Sequence, residues 1–379
     1  MAGYLKREPE TFPIHRVRRV ERPTTKIFED QVKRVDERES GFNRARRGDF
    51  GPYIKEQVNR FVAKHPLSAA LLGMQVFLKD IVDGIVAKAK APIPEDPDLL
   101  SRNIKEVAYF LRADAVGICE LPKYAVYSNR YPDGEPVELN HKYAIAILID
   151  QDWKTSSATT GHDWISNSMS FMSYSASGFI ACVLADYIRR LGYPARAHHA
   201  RNYLVVVPPI LLMAGLGEMS RLGDSVIHPF LGPRFKAAVV TTDMPLKPDK
   251  PIDFGLQDFC SKCKKCAREC PSGAISDGEK VIQNGYEKWP LDVEKCTTMR
   301  VGNKRGAGCG TCIKVCPWNK PYTLFHRAVS WLMRKSSLAR RFAIIGDDLL
   351  GYGRPDYSKK WWFDIEEIEG TLKIPKREV

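Results

Sequence analysis

The middle of the chain alternates between short apolar runs and longer stretches in which apolar residues recur every three or four positions. Short apolar runs bounded by turn residues are typical of buried strands, and the longer spacing is typical of amphipathic helices. Helices are predicted within 51–90, over 104–112 and over 175–191, the last ended by Gly192-Tyr193-Pro194. Strands are predicted at 115–119, 143–149, 195–200, 204–207 and 235–241. This mixture of strands and long helices predicts an α+β domain.

The flanking segments follow other patterns. Residues 1–50 are charged and lack apolar periodicity, so they predict an extended arm that wraps the body. Three prolines between 245 and 251 predict a linker before a cysteine-rich segment. The last segment contains a predicted helix near 326–334 and an aromatic cluster, Trp361-Trp362-Phe363, which needs a surface to bury it. The chain thereby divides into arm, body, cysteine-rich domain and tail: 1–50, 51–255, 256–320 and 321–379.

The composition is that of an ordinary globular protein with a sizeable core. Of its 379 residues, 44% are hydrophobic and 27% are charged, and the formal net charge is +13. Residues 1–65 contain 16 Lys and Arg against 10 Asp and Glu, so six of the thirteen excess positive charges lie in one arm. This distribution weakens the case for nucleic acid, and it suits an anionic substrate or an acidic redox partner at least as well.

No stretch of the sequence predicts a membrane span. The longest apolar run, 204–217, is too short to cross a bilayer and contains two prolines, so it predicts a buried strand and the loop after it. The N-terminus lacks an apolar leader. Arg46-Arg47-Gly48-Asp49-Phe50 resembles a twin-arginine signal, but it lies deep in the chain and charged residues follow it. A cytoplasmic protein is therefore predicted, with a processed form of an exported protein as the alternative.

Eight of the ten cysteines lie within 57 residues, in two runs of regular spacing. The first run is C-x2-C-x2-C-x3-C-P, and the second is C-x12-C-x2-C-x3-C-P. This is the ligand pattern of two 4Fe–4S clusters, in which the fourth cysteine of a run ligates the other cluster. The first cluster is predicted to bind Cys260, Cys263, Cys266 and Cys316, and the second Cys270, Cys296, Cys309 and Cys312. Two zinc sites are the alternative, and interlocked runs with trailing prolines favour clusters that transfer single electrons. Cys119 and Cys182 stand in apolar surroundings and are predicted to be buried packing residues.

The cysteine runs occur together with other motifs that carry a family resemblance. These motifs are Ala214-Gly-Leu-Gly217, Gly232-Pro-Arg-Phe-Lys236, Cys316-Pro-Trp-Asn319 and Trp361-Trp-Phe-Asp364. Over about residues 100–370 the chain resembles the cobalamin-dependent reductive dehalogenases. Epoxyqueuosine reductases, which act on tRNA, share the fold, both clusters and two of these motifs. They typically have a shorter gap before the last three cysteines, so the x12 spacing favours the dehalogenases.

The resemblance implies a nitroreductase-like domain that carries cobalamin with its lower base displaced, followed by a ferredoxin-like domain. It places the cofactor along residues 204–232, where small side chains would let backbone N–H groups meet the corrin amides and Arg221 would reach the phosphate. The implied cofactor-binding residues are Asn202, Gly215, Leu216, Gly217, Ser220, Arg221, Gly223, Ser225 and His228.

The resemblance also implies an acid that protonates the dehalogenated carbon. Tyr174, ahead of the helix predicted at 175–191, is the matching tyrosine, and Lys236 is its implied cationic partner, with Arg234 as the alternative. An ammonium group favours the phenolate and so makes a tyrosine a better acid. Ser170 is expected to hydrogen-bond the substrate. Arg300, in the x12 loop, is expected to clamp a phenolate or a carboxylate.

Three functions follow from these observations. The first is a reductive dehalogenase for an organohalide, with a preference for an aromatic ring that bears a hydroxyl or a carboxylate. The second is an epoxyqueuosine reductase that acts on tRNA, for which the positive charge would be useful. The third is an electron-transfer iron–sulfur protein without cobalamin. In each case the sequence lacks a flavin- or NAD-binding reductase module, so an external ferredoxin or flavodoxin is the expected electron donor.

Overall fold

A four-stranded antiparallel sheet with long helices against it forms the centre of the body. The computed structural model describes residues 10–63, 65–303, 306–360, 365–368 and 371–374. The helices are α1 Gly41–Arg47, α2 Pro52–Ala63, α3 Pro66–Leu78, α4 Pro97–Phe110, α5 Trp153–Ala158, α6 Ile165–Arg190, α7 Val207–Met213, α8 Leu256–Cys263, α9 Lys265–Arg268, α10 Val293–Gly302, α11 Thr311–Val315, α12 Leu324–Lys335 and α13 Ser337–Leu349. The strands are β1 Arg18–Arg19, β2 Ala115–Glu120, β3 Tyr143–Asp150, β4 Ala195–His198, β5 Glu218–Met219, β6 Val226–Ile227, β7 Phe235–Thr242, β8 Ile252–Asp253, β9 Val281–Gln283, β10 Tyr286–Lys288, β11 Glu366–Ile368 and β12 Thr371–Lys373.

The central sheet has the strand order β2-β3-β7-β4, and every neighbouring pair is antiparallel. Its two faces are covered by two separate apolar clusters, which explains why these strands are apolar along their length instead of alternating. Four of the five predicted strands are thus confirmed. The register places Lys236 opposite Ile149 and Phe235 opposite Asp150, near the end where β7 begins. This end of the sheet carries the residues that the resemblance singles out.

Helix α6 is longer than predicted, because it begins at Ile165 and not at residue 175. The extra turns are rich in serine, a residue that competes for backbone hydrogen bonds and so reads as a loop. In the fold two of these serines are buried with partners: Ser173 Oγ donates to the Asp150 carbonyl at 2.9 Å, and the Ser68 and Ser168 hydroxyls lie 2.7 Å apart. Ser170 and Tyr174 therefore lie within the helix and not ahead of it.

Among the described residues, α6 is the one helix long and apolar enough to cross a membrane by length and composition. Its most apolar window is 61% buried inside the fold. It packs against β7, β4 and α3, so its apolar surface is that of a core helix. The predicted cytoplasmic location stays a prediction.

The prediction of a strand at 204–207 is wrong. Val205 forms a single bridge with Val126, and the chain then enters helix α7 at Val207. Pro208 and Pro209 lie in the first turn of α7, where a missing N–H costs nothing because no carbonyl precedes it in the helix. The two prolines that suggested a loop thus begin a helix.

The N-terminal arm crosses the body in an extended conformation before α1. Strand β1 pairs with β8, and Ile27 forms a bridge with Tyr286 beyond the cysteine run. Arg19 donates to the Lys250 carbonyl at 2.7 Å, so the arm is also fixed to the predicted linker. The arm therefore contacts both the predicted linker and the cysteine-rich segment, and α1 packs on α2 and α10.

The x12 spacing is not a loop over its first half. Helix α10 begins at Val293, where the carboxylate of Asp292 caps its first turn by accepting from the Lys295 N–H at 2.9 Å. It includes Cys296 and continues to Gly302. The glycines after it, including Gly308 with φ of 80° and Gly310 with φ of 73°, return the chain to the cysteines in α11.

The tail folds into two helices, α12 and α13, where one was predicted. A buried ion cluster fixes them: Asp347 on α13 forms ion pairs with Lys265 Nζ and with Lys320 Nζ, each at 2.5 Å. Lys265 lies between two cysteines of the first run, and Lys320 follows the Cys316-Pro-Trp-Asn319 motif. The predicted aromatic cluster at 361–363 lies outside the described residues.

Candidate active site and cluster segment

The cysteines of the first predicted cluster lie within electrostatic reach of one another. Burial raises the pKa of Cys260, and the nearby thiols of Cys266 and Cys263 raise it further. Burial also raises the pKa of Cys316, with Cys260, Cys263 and Cys266 as neighbours that act in the same direction. Cys316 therefore joins three cysteines that precede it by fifty residues or more, as the cluster pattern predicts.

The second predicted group comes together in the same way. Burial raises the pKa of Cys312, and Cys309 and Cys296 add to the effect. Burial raises the pKa of Cys296 as well, and the thiols of Cys309 and Cys270 are again among the causes. Cys266 of the first group also acts on Cys312, so the two groups are neighbours. Such proximity suits electron transfer from one cluster to the other.

The spacing of these thiols suits a cluster better than a single ion. No three His, Cys, Asp or Glu side chains in the described part of the chain could hold one metal ion together. A zinc ion needs four ligands about 2.3 Å away, whereas a 4Fe–4S cube spreads its four thiolates over separate corners. The two remaining cysteines, Cys119 and Cys182, are buried at 2% and 4% exposure. Their predicted role as packing residues is confirmed.

Arg221 forms its hydrogen bonds with the cluster segment. Its Nε donates to the Cys260 carbonyl at 2.9 Å, and its Nη1 donates to the carbonyls of Ser276 and Gly278, each at 2.9 Å. Its guanidinium also lies 4.7 Å from the centre of the Trp289 ring. The residue is 1% exposed and fastens the body to the first cysteine run, and its predicted contact with a cofactor phosphate stays a prediction.

The predicted cofactor stretch owes its small residues to packing against protein. A Cβ on Gly217 would lie 2.3 Å from the Ile227 carbonyl oxygen, and one on Gly215 would lie 2.2 Å from that of Lys250. A Cβ on Gly223 would lie 2.5 Å from Leu291. Leu216 lies in an apolar cluster, and Ser220 Oγ donates to the Ser225 carbonyl at 2.8 Å. The stated reason for these residues is therefore corrected, and their contact with a cofactor stays a prediction.

His228 differs from the other residues of this stretch because one of its ring nitrogens lacks a protein partner. Its Nδ1 accepts from the N–H groups of Phe230 and Leu231 at 3.2 Å, which places the ring hydrogen on Nε2. Nε2 is buried and has no hydrogen-bond partner among the described residues. Burial and the charge of Arg234 lower the pKa of His228 to about 3, so the ring is neutral.

Tyr174 and Lys236 lie together, as the resemblance implies. Lys236 Nζ lies 5.1 Å from the centre of the Tyr174 ring, which joins α6 to β7. The alternative partner, Arg234, is 4% exposed and forms a two-pronged ion pair with Asp150, at 2.6 and 3.1 Å. It also donates to Asn319 Oδ1 at 2.7 Å. The cation beside the tyrosine is therefore Lys236, and Arg234 links its strand to the motif that follows Cys316.

Ser170 lies one turn before Tyr174 and accepts a hydrogen bond from Gln151 Nε2 at 2.9 Å. Gln151 is fully buried, and its Oε1 has no hydrogen-bond partner among the described residues. The Ser170 hydroxyl keeps its own hydrogen available as a donor. This pair is compatible with the predicted role of Ser170 in substrate binding.

Arg300 lies on helix α10, and the prediction that it sits in a loop is wrong. Its guanidinium lies 4.6 Å from the centre of the Phe42 ring. Burial raises the pKa of the Cys296 thiol one turn earlier, and the positive charge of Arg300 acts in the opposite direction. Phe42 belongs to the apolar cluster that also contains Tyr174. Arg300 thus lies between the second cysteine group and the surroundings of the tyrosine.

The segment after β4 supplies site residues that sequence reasoning missed. Tyr203 Oη donates to the carbonyl of Ala237, the residue after Lys236, at 2.5 Å. Arg201 lies two residues before it and is electrostatically coupled to Tyr174. Asn202, predicted to contact the cofactor, has an amide that accepts from Arg196 at 2.6 Å and donates to the Lys79 carbonyl at 3.0 Å. A long-range pairing of this kind leaves no signal in local sequence patterns.

Comparison with known proteins identifies the cysteine-rich segment and relatives of the chain. Residues 259–319 match the 4Fe-4S double cluster binding domain. Tetrachloroethene reductive dehalogenase of Sulfurospirillum multivorans is 32% identical over 334 residues, which cover 76% of this chain and 66% of that protein.

Two solved structures are similar over almost the whole chain. The catabolic reductive dehalogenase NpRdhA, solved in complex with 3-bromo-4-hydroxybenzoic acid, has a TM-score of 0.92 and 43% identity, over 96% of this chain and 53% of that chain. A reductive dehalogenase structure that suggests a mechanism for B12-dependent dehalogenation has a TM-score of 0.91 and 44% identity over the same shares. The chain spans 53% to 66% of the length of these proteins.

The relation to the tRNA-modifying proteins is more distant. Epoxyqueuosine reductase of Bacillus cereus is 36% identical, but over 121 residues, or 28% of this chain. The longer matches all favour the first of the three functions drawn from the sequence.

Proposed function

This chain is a homologue of the reductive dehalogenases, and on that premise we propose that it replaces a halogen of an organohalide by hydrogen. The reaction takes R–X, two electrons and one proton to R–H and a halide ion. The electrons would pass through the cysteine segment from an external ferredoxin or flavodoxin. The proton would come from the body of the chain.

The observation that carries this proposal is the Tyr174–Lys236 pair. A phenol that gives a proton to carbon becomes a phenolate, and an ammonium group 5.1 Å from the ring centre stabilises that negative charge. Tyr174 Oη would donate the proton, and Lys236 would hold the phenolate until a proton from solvent restores it. Because Arg234 is held by Asp150, Lys236 is the one of the two predicted cationic partners that is available for this role.

The chain also connects the cluster segment to this pair. Arg234 lies two residues before Lys236 and donates to Asn319, which follows Cys316 by three residues. A Cβ on Gly232 would lie 2.5 Å from the Trp318 carbonyl oxygen, so the backbones of the two segments are in contact. The first cluster, at Cys260, Cys263, Cys266 and Cys316, would accordingly be the one nearer the site.

A corrinoid bound with its lower base displaced would supply the reduced cobalt that cleaves the carbon–halogen bond. The residues present fit such a polar, amide-rich group in one respect. His228 Nε2 is a buried donor and Gln151 Oε1 a buried acceptor, and neither has a hydrogen-bond partner among the described residues. Buried polar atoms without partners are rare in folded proteins, so these two atoms would be satisfied by a bound group.

We propose a halogenated phenol or aromatic acid as the substrate class. The site region combines cations with aromatic side chains, since Lys236, Arg300 and the rings of Phe42 and Tyr174 lie around it. NpRdhA, solved with 3-bromo-4-hydroxybenzoic acid, shares 43% identity with this chain, which supports this choice.

The test is halide release from a bromophenol by reconstituted protein with reduced viologen as the electron source. We expect Tyr174→Phe to lose at least about a hundredfold in kcat, the range of a general acid. Tyr187→Phe is the matched control, because Tyr187 lies on the same helix and its hydroxyl instead donates to Asn103 at 2.9 Å. Full halide release by Tyr174→Phe would show that the proton comes from elsewhere.

Two further measurements separate the alternative functions. A corrinoid spectrum of the reconstituted protein is expected, and its absence would leave an electron-transfer iron–sulfur protein. Turnover of epoxyqueuosine-containing tRNA, with no halide release from bromophenol, would instead identify a tRNA-modifying enzyme.

A further inference from the structure

Two thiols of the second predicted cluster have a hydroxyl group as their neighbour. Ser272 follows Cys270 by two residues, and Thr311 follows Cys309 at the same spacing. Ser272 Oγ lies 3.6 Å from Cys270 Sγ, and Thr311 Oγ1 lies 3.3 Å from Cys309 Sγ. Because sulfur is a larger atom than oxygen, both distances are within the range of a hydrogen bond to sulfur.

The first predicted cluster has no such neighbours. In the described part of the chain, hydroxyl groups form hydrogen bonds with the sulfurs of two predicted cluster ligands, and both ligands belong to the second group. Ser261 lies beside Cys260 in the first run, but its hydroxyl donates to the Asp258 carbonyl at 2.9 Å. The residues that follow the cysteines of the first group by two positions are Lys262, Lys265, Arg268 and Trp318.

The backbone holds each hydroxyl beside its sulfur. Ser272 lies in a turn in which the Gly273 N–H donates to the Cys270 carbonyl at 3.1 Å. Thr311 is the first residue of α11, and a Cβ on Gly161 would lie 2.3 Å from its Oγ1, so this glycine leaves room for the hydroxyl. Neither hydroxyl has another hydrogen-bond partner among the described residues, so each is available as a donor to sulfur.

Ligation to iron fixes the direction of these hydrogen bonds. A cysteine that binds iron is a thiolate without a hydrogen, so the hydroxyl donates and the sulfur accepts. Reduction adds a negative charge to the cluster and strengthens such a bond, which is why hydrogen bonds to the sulfurs raise the reduction potential. Removing these hydroxyls would therefore make the second cluster harder to reduce.

Solvent exposure acts in the same direction. Cys260 and Cys316 of the first group are buried, whereas all four cysteines of the second group are partly exposed. Water stabilises the more negative, reduced state of a cluster, so the more exposed cluster is the easier one to reduce.

Positive side chains do not distinguish the two groups, because they lie near both. Arg221 donates to a carbonyl in the first run, and Arg300 lies one turn after Cys296 of the second group. Lys265 and Lys314 each lie between two cysteines. The hydroxyl contacts and the exposure are therefore the features in which the groups differ.

We infer that Ser272 and Thr311 are positioning residues whose hydroxyls raise the reduction potential of the second cluster above that of the first. This inference goes beyond the proposed function, because it concerns the order in which the clusters accept electrons and holds for any substrate. The first electron from the external donor would reside on the second cluster. The first cluster, which lies nearer the proposed site, would be reduced next.

The experiment is a potentiometric titration of the iron-loaded full chain, followed by electron paramagnetic resonance. Cys316→Ala, which removes a predicted ligand of the first cluster alone, assigns the two signals. In the wild-type protein we expect the signal of the second cluster to appear first as the potential is lowered. Thr311→Val and Ser272→Ala are each expected to lower the equilibrium constant for its reduction by about threefold to tenfold, the range for one lost hydrogen bond. At 59 mV per tenfold change this is a fall of about 30–60 mV in the midpoint potential.

Two controls accompany these variants. Thr311→Ser keeps the hydroxyl and is expected to retain the wild-type potential. Ser261→Ala removes a hydroxyl that lies beside a cysteine but donates to a backbone carbonyl, so it is expected to shift neither cluster.

Unchanged midpoint potentials of the second cluster in Thr311→Val and Ser272→Ala would overturn the inference. So would a wild-type protein in which the first cluster is reduced at the higher potential. The two hydroxyls are removed in separate variants, so if one variant loses iron the other still decides. The potentials are measured without an organohalide, so their outcome is independent of whether the protein releases halide.

Discussion

Removal of the Lys236 ammonium tests the proposed acid most directly. Lys236 Nζ lies 5.1 Å from the Tyr174 ring centre, and at an effective dielectric constant of about 20 two unit charges at that distance attract by about 3 kcal/mol. This attraction exists only once the tyrosine has given up its proton, so it acts on the transition state and not on the bound substrate. We therefore expect Lys236→Met to lower kcat for halide release by roughly a hundredfold.

The assay is halide release from a bromophenol at saturating concentration, with rates normalised to the corrinoid and iron content of each preparation. Lys236→Arg keeps the charge and is expected to retain most of the activity. Lys247→Met is the control, because Lys247 is an exposed lysine paired with Asp98 at 2.6 Å.

A double variant shows whether the lysine acts through the tyrosine. If it does, Lys236→Met in the Tyr174→Phe background has little further effect, because the two residues act as one unit. Losses that multiply in the double variant, or a Lys236→Met protein within about threefold of wild type, would refute the electrostatic reasoning.

Further predictions concern the structure that supports this pair. Arg234→Leu leaves the carboxylate of Asp150 without its ion-pair partner, so it is expected to lower the free energy of unfolding by about 3–5 kcal/mol in a denaturant titration. Arg190→Leu is the control, because it breaks an exposed ion pair and should lower the free energy of unfolding by less than about 1 kcal/mol. Cys316→Ala is expected to reduce iron from about eight to about four atoms per protein and to leave the electron paramagnetic resonance signal of the second cluster. Cys182→Ala is the control and should leave both clusters intact. Loss of the second cluster's signal in Cys316→Ala, with the first cluster's signal retained, would contradict the predicted assignment of cysteines to clusters. His228 is neutral in the fold, with its pKa lowered to about 3, so the unfolded chain binds the extra proton between about pH 6.5 and 3. Its contribution is thus complete above pH 6.5 and lost on acidification, by about 2 kcal/mol at pH 5, and a wild-type slope in His228→Gln would count against this assignment.

The parts of the fold that could be predicted are those with a local signal. The spacing of the eight cysteines specifies two groups without reference to any other residue, and the buried strands are apolar along their length. Helix α7 was missed because prolines in a first helical turn look the same in sequence as prolines in a loop. The helix in the first half of the x12 spacing was missed because its N-cap residue, Asp292, lies before the first cysteine of that spacing.

The candidate site was predictable only where a motif could be matched to a family. Tyr174 and Lys236 were found in this way, and their proximity is a property of how α6 packs on β7. The contacts of Arg221 with the cluster segment were not predictable, because its three carbonyl acceptors lie 39 to 57 residues away in the chain.

The buried ion cluster around Asp347 limits how this chain can be shortened. Lys265 is 5% exposed, and Lys320 is largely buried. A chain cut before Asp347 would leave both ammonium groups without their carboxylate partner beside the first cysteine run. The same cut would remove the Tyr352 carbonyl that accepts from Lys265 at 2.9 Å. Residues 321–352 therefore supply contacts that hold the first cysteine run, and an expression design that stops at the last cysteine would omit them.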